Sequence, residues 1–198
     1  MKLIELFATP VVIRELDRKY TVEELIYIDD LLKDTYKNRG NRTSRDTFIF
    51  GADVLSSIHD FCLDAVNQYV GEVLRHINCK LRITQSWLNI STAGEFHHMH
   101  NHPNSMVSGV LYIEAGEDDI IQFYRTRETT SFLHESDGYN QYNSTNWYLP
   151  VKTGELILFP SHLYHDVPQV KSSRRISLSF NTFPEGQFGS VEMLSFVD

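Results

Sequence analysis

The sequence predicts an α+β chain, mainly β, in which helices come first and a β-sandwich or barrel follows. Three observations carry this. Apolar residues recur at helical spacing up to about residue 77. After residue 80 the period changes to two, and Gly, Pro, Asn and Asp punctuate the runs. The length, 198 residues, suits one domain, so the helices and strands must share a core.

Each element follows from local chemistry. Residues 3–13 (LIELFATPVVI) read as a short strand interrupted at Pro10, which lacks an amide donor. Thr21-Val-Glu-Glu24 is a capping box. Leu25, Ile28, Leu31, Leu32 and Tyr36 then repeat at helical spacing, which predicts a helix over 22–37. The polar stretch 37–46 reads as a loop. Asp53 is the expected N-cap of a second helix over 54–77. Its apolar stripe runs from Leu55 to Ile77 and must pack on the barrel or on a second copy of the chain, as a homodimer. Strands are expected at 81–90, 96–102, 106–113, 119–124, 146–149, 155–159, 163–168 and 174–182. The Asn- and Tyr-rich segment 134–146 reads as a surface loop or a binding lid. The expected organisation is one domain over 1–198: N-terminal strand and helices over 1–79, a β core over 80–183, and a tail over 184–198.

Composition excludes several classes. Hydrophobic residues make up 41% and aromatics 12%, so the chain can fold. The net charge of −8 argues against a broad nucleic-acid or anionic-membrane surface. No apolar run reaches the roughly 18 residues of a membrane span. The first residues, with Glu5 and Pro10 breaking a short apolar stretch, do not read as a signal peptide. Two cysteines, Cys62 and Cys79, are too few for a disulfide scaffold, and Cys62 falls on an apolar helix face. A reducing, cytoplasmic setting is expected.

Histidine carries the chemical signal. Four of the nine histidines lie in EFHHMHNHP, from Glu95 to Pro103. On a strand His98, His100 and His102 share one face and His97 takes the other. Same-face imidazoles can reach one divalent metal. A third ligand is expected from FPSHLYHDVPQV, as His165 or His162. Asp166 can orient a ligating ring or stand in solvent. His59, His76 and His134 read as structural or solvated. Arg174 and Arg175 follow, and one of them points into the barrel, where a buried guanidinium needs an anion. Two close ligands and one remote ligand leave metal positions open for a chelating co-substrate and O₂.

The stretches GEFHHMHNHPNSMVSGVLYI, GELILFPSHLYHDV and RRISLSFN resemble the 2-oxoglutarate/Fe(II)-dependent oxygenases, in particular small bacterial and phage members related to prolyl hydroxylases. The resemblance covers roughly residues 80–183, with LFATPVVI in addition. It implies a double-stranded β-helix, the jelly roll of that group, preceded by two or more helices packed on it. It selects His100, His102 and His165 as ligands of Fe(II) and as the catalytic centre. It assigns Arg175 to the far carboxylate of 2-oxoglutarate, with Tyr112 and Ser179 beside it and Asn89 as a further candidate. His102 stands where most of the superfamily has a carboxylate. Three neutral imidazoles leave more positive charge on the ion and also suit Zn(II) or Ni(II).

The activity implied is C–H hydroxylation with O₂ as co-substrate and release of succinate and CO₂. A peptidyl residue, such as proline, is the substrate the analogy suggests. Two other readings compete. One is a cupin-like three-His enzyme that does not use 2-oxoglutarate. The other is a non-enzymatic jelly-roll interaction module.

Overall fold

The computed structural model describes residues 1–77, 79–125 and 135–197. His134, the first residue of the loop expected at 134–146, lies outside the described residues. Among those described, the chain forms two antiparallel β-sheets and two α-helices. This is the mainly β class that the change of period predicts.

The first strand, β1 (Val12–Glu15), is shorter than expected and pairs with β9 (Glu155–Pro160). Helix α1 (Val22–Leu31) begins at the capping box. Thr21 accepts from the Glu24 amide at 3.2 Å, and Glu24 accepts from the Thr21 amide at 2.8 Å. Glu24 also holds Arg18 through both carboxylate oxygens, at 2.9 and 2.6 Å. The helix stops six residues before the expected Lys37, because Thr35–Lys37 is instead a strand, β2. A β-branched residue and an aromatic there favour pairing once an edge is available. The partner is β3 (Arg42–Ser44), inside the segment expected to be loop. Gly40 makes the connecting turn at φ +101°, and a Cβ there would meet the Phe96 carbonyl at 2.5 Å.

No side chain caps the second helix, so Asp53 is not its N-cap. The chain enters through two short 3₁₀ turns, Ile49–Gly51 and Asp53–Leu55. Helix α2 (Ser56–Gln68) then continues into a π-helical turn over Tyr69–Val73. None of the described helices is long and apolar enough to cross a membrane.

The remaining strands are β4 (Lys80–Ser91), β5 (His97–His100), β6 (Val107–Glu114), β7 (Ile120–Tyr124), β8 (Asn146–Pro150), β10 (His165–Val167) and β11 (Arg175–Glu185). The larger sheet has the order β1-β9-β6-β11-β4-β3-β2, the smaller β5-β10-β7-β8. Strand alternation gives the larger sheet two different faces. Leu88, Leu111, Leu178 and Phe180 share one core with Ile58, Cys62 and Val66 of α2. Burying such a side chain contributes roughly 1.5–3 kcal/mol, so the helical layer is tied firmly to the sheet. The opposite face carries Asn89, Tyr112, Arg175, Ser177 and Ser179 and lines the space between the sheets. A smaller core that includes Ile121, Phe123, Ile157 and Phe159 fills the rest of that space.

Candidate active site

The three histidines converge at one end of the space between the sheets. β5 pairs with β10 so that His100 stands directly opposite His165. β5 ends at His100, not at the expected 102, so His102 lies in the following loop. That loop is fixed, since the His102 amide donates to the Ser161 carbonyl at 2.9 Å. One ligand atom from each of His100, His102 and His165 lies within 4.8 Å of the others. The Nε2 atoms of His102 and His165 are 3.3 Å apart. Two nitrogens at about 2.1 Å from one ion stand roughly 3.0–3.4 Å apart, between octahedral and tetrahedral angles.

In two of the three rings the second nitrogen turns the lone pair inward. His100 Nδ1 donates to the His98 carbonyl at 2.8 Å, and His165 Nδ1 to the Leu163 carbonyl at 3.1 Å. Those bonds place the free lone pair on Nε2, which is the metal-ready tautomer. Burial drives His102 down to about 4, with His100 adding to the effect. His165 is held well below the usual histidine range, first by burial and then by His100 and His102. Burial lowers His100 as well, so all three rings favour the neutral form that binds a metal. The donor set, three neutral imidazoles with no carboxylate, fits a divalent transition metal.

Across the cavity the larger sheet presents a cationic pole. Arg175, the first residue of β11, is 3% exposed. It makes no ion pair among the described residues, and its Nε has no hydrogen-bond partner. Its guanidinium stands 5.1 Å from the centroid of the Tyr112 ring. Burial pushes the Tyr112 hydroxyl up to about 12, against the opposing pull of Arg175, and that hydroxyl also has no hydrogen-bond partner. Ser91, opposite Arg175 in the β4–β11 register, is a third buried group without a partner. A buried guanidinium beside two unpaired hydroxyls is costly alone and fits an oxygen-rich anion such as a carboxylate. Arg174, by contrast, turns outward to Asp29 and Glu114.

The other candidates divide. Asn89 donates to Ser179 at 3.2 Å and accepts from Thr43 at 3.0 Å, so this pair is satisfied within the cavity wall. Ser179 is four residues from Arg175, about 13 Å along an extended strand. Ser177, which the sequence reading passed over, sits between them and stands opposite both Asn89 and Tyr112. His162 is exposed, and His98 bonds the Arg39 carbonyl, so neither joins the cluster. Asp166 accepts from the Tyr124 hydroxyl at 2.6 Å and bonds no histidine ring among the described residues.

His97 requires a correction. Simple alternation sends it away from His100, yet its ring lines the cavity and stacks on His100, with centroids 4.5 Å apart and planes 28° apart. The cause is a β-bulge. His165 pairs with His100 and Val167 with His97, so three steps on β5 oppose two on β10. Trp87 also lines the cavity, with its ring 5.9 Å from that of His102.

Residues 85–181 match the protein family described as "Putative 2OG-Fe(II) oxygenase". No curated protein matches the chain by sequence. Among solved structures, the chain is similar to HygX from Streptomyces hygroscopicus with nickel, 2-oxoglutarate and hygromycin B bound. That match has 14% identity and a TM-score of 0.60, and covers 89% of this chain and 83% of the other. It is similar to a Pseudomonas putida prolyl-4-hydroxylase, at 14% identity and a TM-score of 0.56, over 90% and 94% of the two chains. It is also similar to a Trichoplax adhaerens prolyl hydroxylase in complex with a hypoxia-inducible-factor peptide fragment, at 13% identity and a TM-score of 0.60, over 86% and 82%. At such identities these likenesses establish the fold.

Proposed function

We infer, from a chain that carries a 2-oxoglutarate/Fe(II) oxygenase domain over residues 85–181, that His100, His102 and His165 hold the iron and Arg175 holds the co-substrate. The carrying observation is the pairing of two incomplete poles in one cavity. Three imidazoles converge at one end, and at the other waits a buried guanidinium that meets no counter-ion among the described residues. A 2-oxo acid with a second carboxylate completes both. Tyr112 and Ser177 add hydroxyls beside Arg175, and Asn89 and Ser179 floor the cavity. Bound iron supplies the activation of O₂ that couples decarboxylation of the 2-oxo acid, to succinate and CO₂, to C–H hydroxylation.

The chain's own residues bind, orient and shield. His98 and Leu163 carbonyls fix the tautomers of His100 and His165. Phe159 packs edge-on against His165, with centroids 4.6 Å apart, and excludes water from that ring. The fold we assign is a double-stranded β-helix with the N-terminal helices packed on its larger sheet, acting as one catalytic domain. The primary substrate we place first is a peptidyl residue, proline among the candidates, with the small molecule 2-oxoglutarate as co-substrate. The setting that suits two free cysteines is the cytoplasm.

The test is an anaerobic titration. Fe(II) is added to metal-free protein, then 2-oxoglutarate, and the visible charge-transfer band of the chelated 2-oxo acid is followed. The expected result is a band in the wild type, none in His165→Ala, and a requirement for at least about tenfold more co-substrate in Arg175→Ala, since a charge-assisted contact is lost. Iron binding without a band would move the assignment to a three-His enzyme that does not use 2-oxoglutarate, or to a binding module.

A further inference from the structure

We propose that His97 is a positioning residue of this site, donating a hydrogen bond from Nδ1 to an anionic oxygen of the 2-oxo acid bound at the three-His cluster. The proposal rests on the oxygenase reading above and adds a fourth histidine to it. His97 lines the same cavity as His100, His165 and Arg175. The bulge that brings it there costs the β5–β10 ladder a regular pairing step, and bulges of this kind re-aim side chains beside active sites.

The tautomer follows from geometry. Asn38, just after β2, places its Nδ2 3.3 Å from His97 Nε2. An amide N–H can only donate, so Nε2 accepts, and the single ring proton sits on Nδ1. That nitrogen has no hydrogen-bond partner among the described residues, so the ring offers one free donor. Asn38 is itself held by the β2–β3 turn. Its amide bonds the Asn41 carbonyl at 2.8 Å, and its side-chain oxygen accepts from the Arg39 amide at 2.7 Å. The same turn is tied to β5, because the Phe96 amide donates to the Gly40 carbonyl at 3.0 Å. Ring position and tautomer are thus both fixed from outside the metal cluster. Stacking on His100 keeps the plane of the ring next to a ligand without making it one.

Two variants separate donation from packing. His97→Phe keeps an aromatic ring against His100 and removes the donor. His97→Gln keeps a donor and removes the ring. Fe(II) affinity is measured first. 2-Oxoglutarate affinity and the position of the charge-transfer band are then read anaerobically, with no turnover involved. In His97→Phe the 2-oxoglutarate Kd should rise about tenfold or more, the loss of one hydrogen bond to a charged oxygen. The band should also move, while Fe(II) affinity stays within about twofold. His97→Gln should recover part of the lost affinity. A wild-type band that is unchanged in position and Kd in His97→Phe overturns this proposal alone. A parallel collapse of Fe(II) affinity in both variants overturns it too, since His97 would then be a ligand or a packing support. A wild type that shows no band removes the oxygenase reading and this proposal together.

Discussion

The buried histidines set how this protein responds to acid. His97 is driven down to about 3 and His102 to about 4, each mainly by burial, and His165 is held well below its usual range. In the unfolded chain each ring titrates near about 6.5. Between those values the unfolded state binds more protons than the native state, so stability falls as pH falls. The loss begins near pH 6.5 and continues toward pH 4, at up to about 1.4 kcal/mol per pH unit for each ring. Metal-free protein should therefore melt at a lower temperature at pH 5 than at pH 7. Ni(II) at pH 7 should raise the melting temperature, and acid should erase that gain, because protons compete for the same lone pairs. Thermal melts with and without Ni(II) check this. A melting temperature flat from pH 7 to pH 5 in metal-free protein would contradict the burial of the cluster.

The strands of the larger sheet do two jobs, one on each face. β11 sends Ile176, Leu178 and Phe180 to the helices and Arg175, Ser177 and Ser179 to the cavity. The Phe180 ring closes over Gly109 on β6, so that a Cβ there would lie 2.2 Å from its Cζ. Gly109→Ala must push that ring out of a close-packed layer, and overpacking of this kind costs about 1–3 kcal/mol. Urea denaturation should show the midpoint fall with the slope unchanged, and a wild-type midpoint would mean that the layer yields freely. The same alternation explains what was legible in the sequence. It predicted that one of Arg174 and Arg175 faces inward, and it placed His100 and His165 on strands. It failed at His97, because the bulge depends on pairing with β10, which no local pattern records. Alternation puts Ser177 on the face of Arg175 and Ser179, but no motif in the sequence singles it out. The helix expected to reach residue 37 was overridden by an edge that exists only once β3 and β4 have paired.

At the scale of the whole molecule, the fold tolerates a buried charge that meets no counter-ion among the described residues. Arg175 is almost fully buried with no counter-ion among the described residues, while the helical core on the far side of the sheet is apolar and well filled. Replacing a buried ion pair by hydrophobic residues of similar volume is often neutral or stabilising, by about 1–4 kcal/mol, and a buried charge without its partner is the costlier case. The metal-free Arg175→Met variant should accordingly melt at or above the wild-type temperature. Ligand should reverse the order. With Ni(II) in place of iron and 2-oxoglutarate at about one hundred times its Kd, binding stabilises the wild type by about 2.7 kcal/mol. For a domain of this size that is a rise of roughly 5–10 °C. In Arg175→Met the same addition should produce little shift beyond that of Ni(II) alone. The pair of melts thus tests a trade of stability for function at one residue. A variant that melts well below the wild type without ligand, yet keeps the full co-substrate shift, would show that Arg175 holds the barrel together and that the 2-oxo acid binds elsewhere.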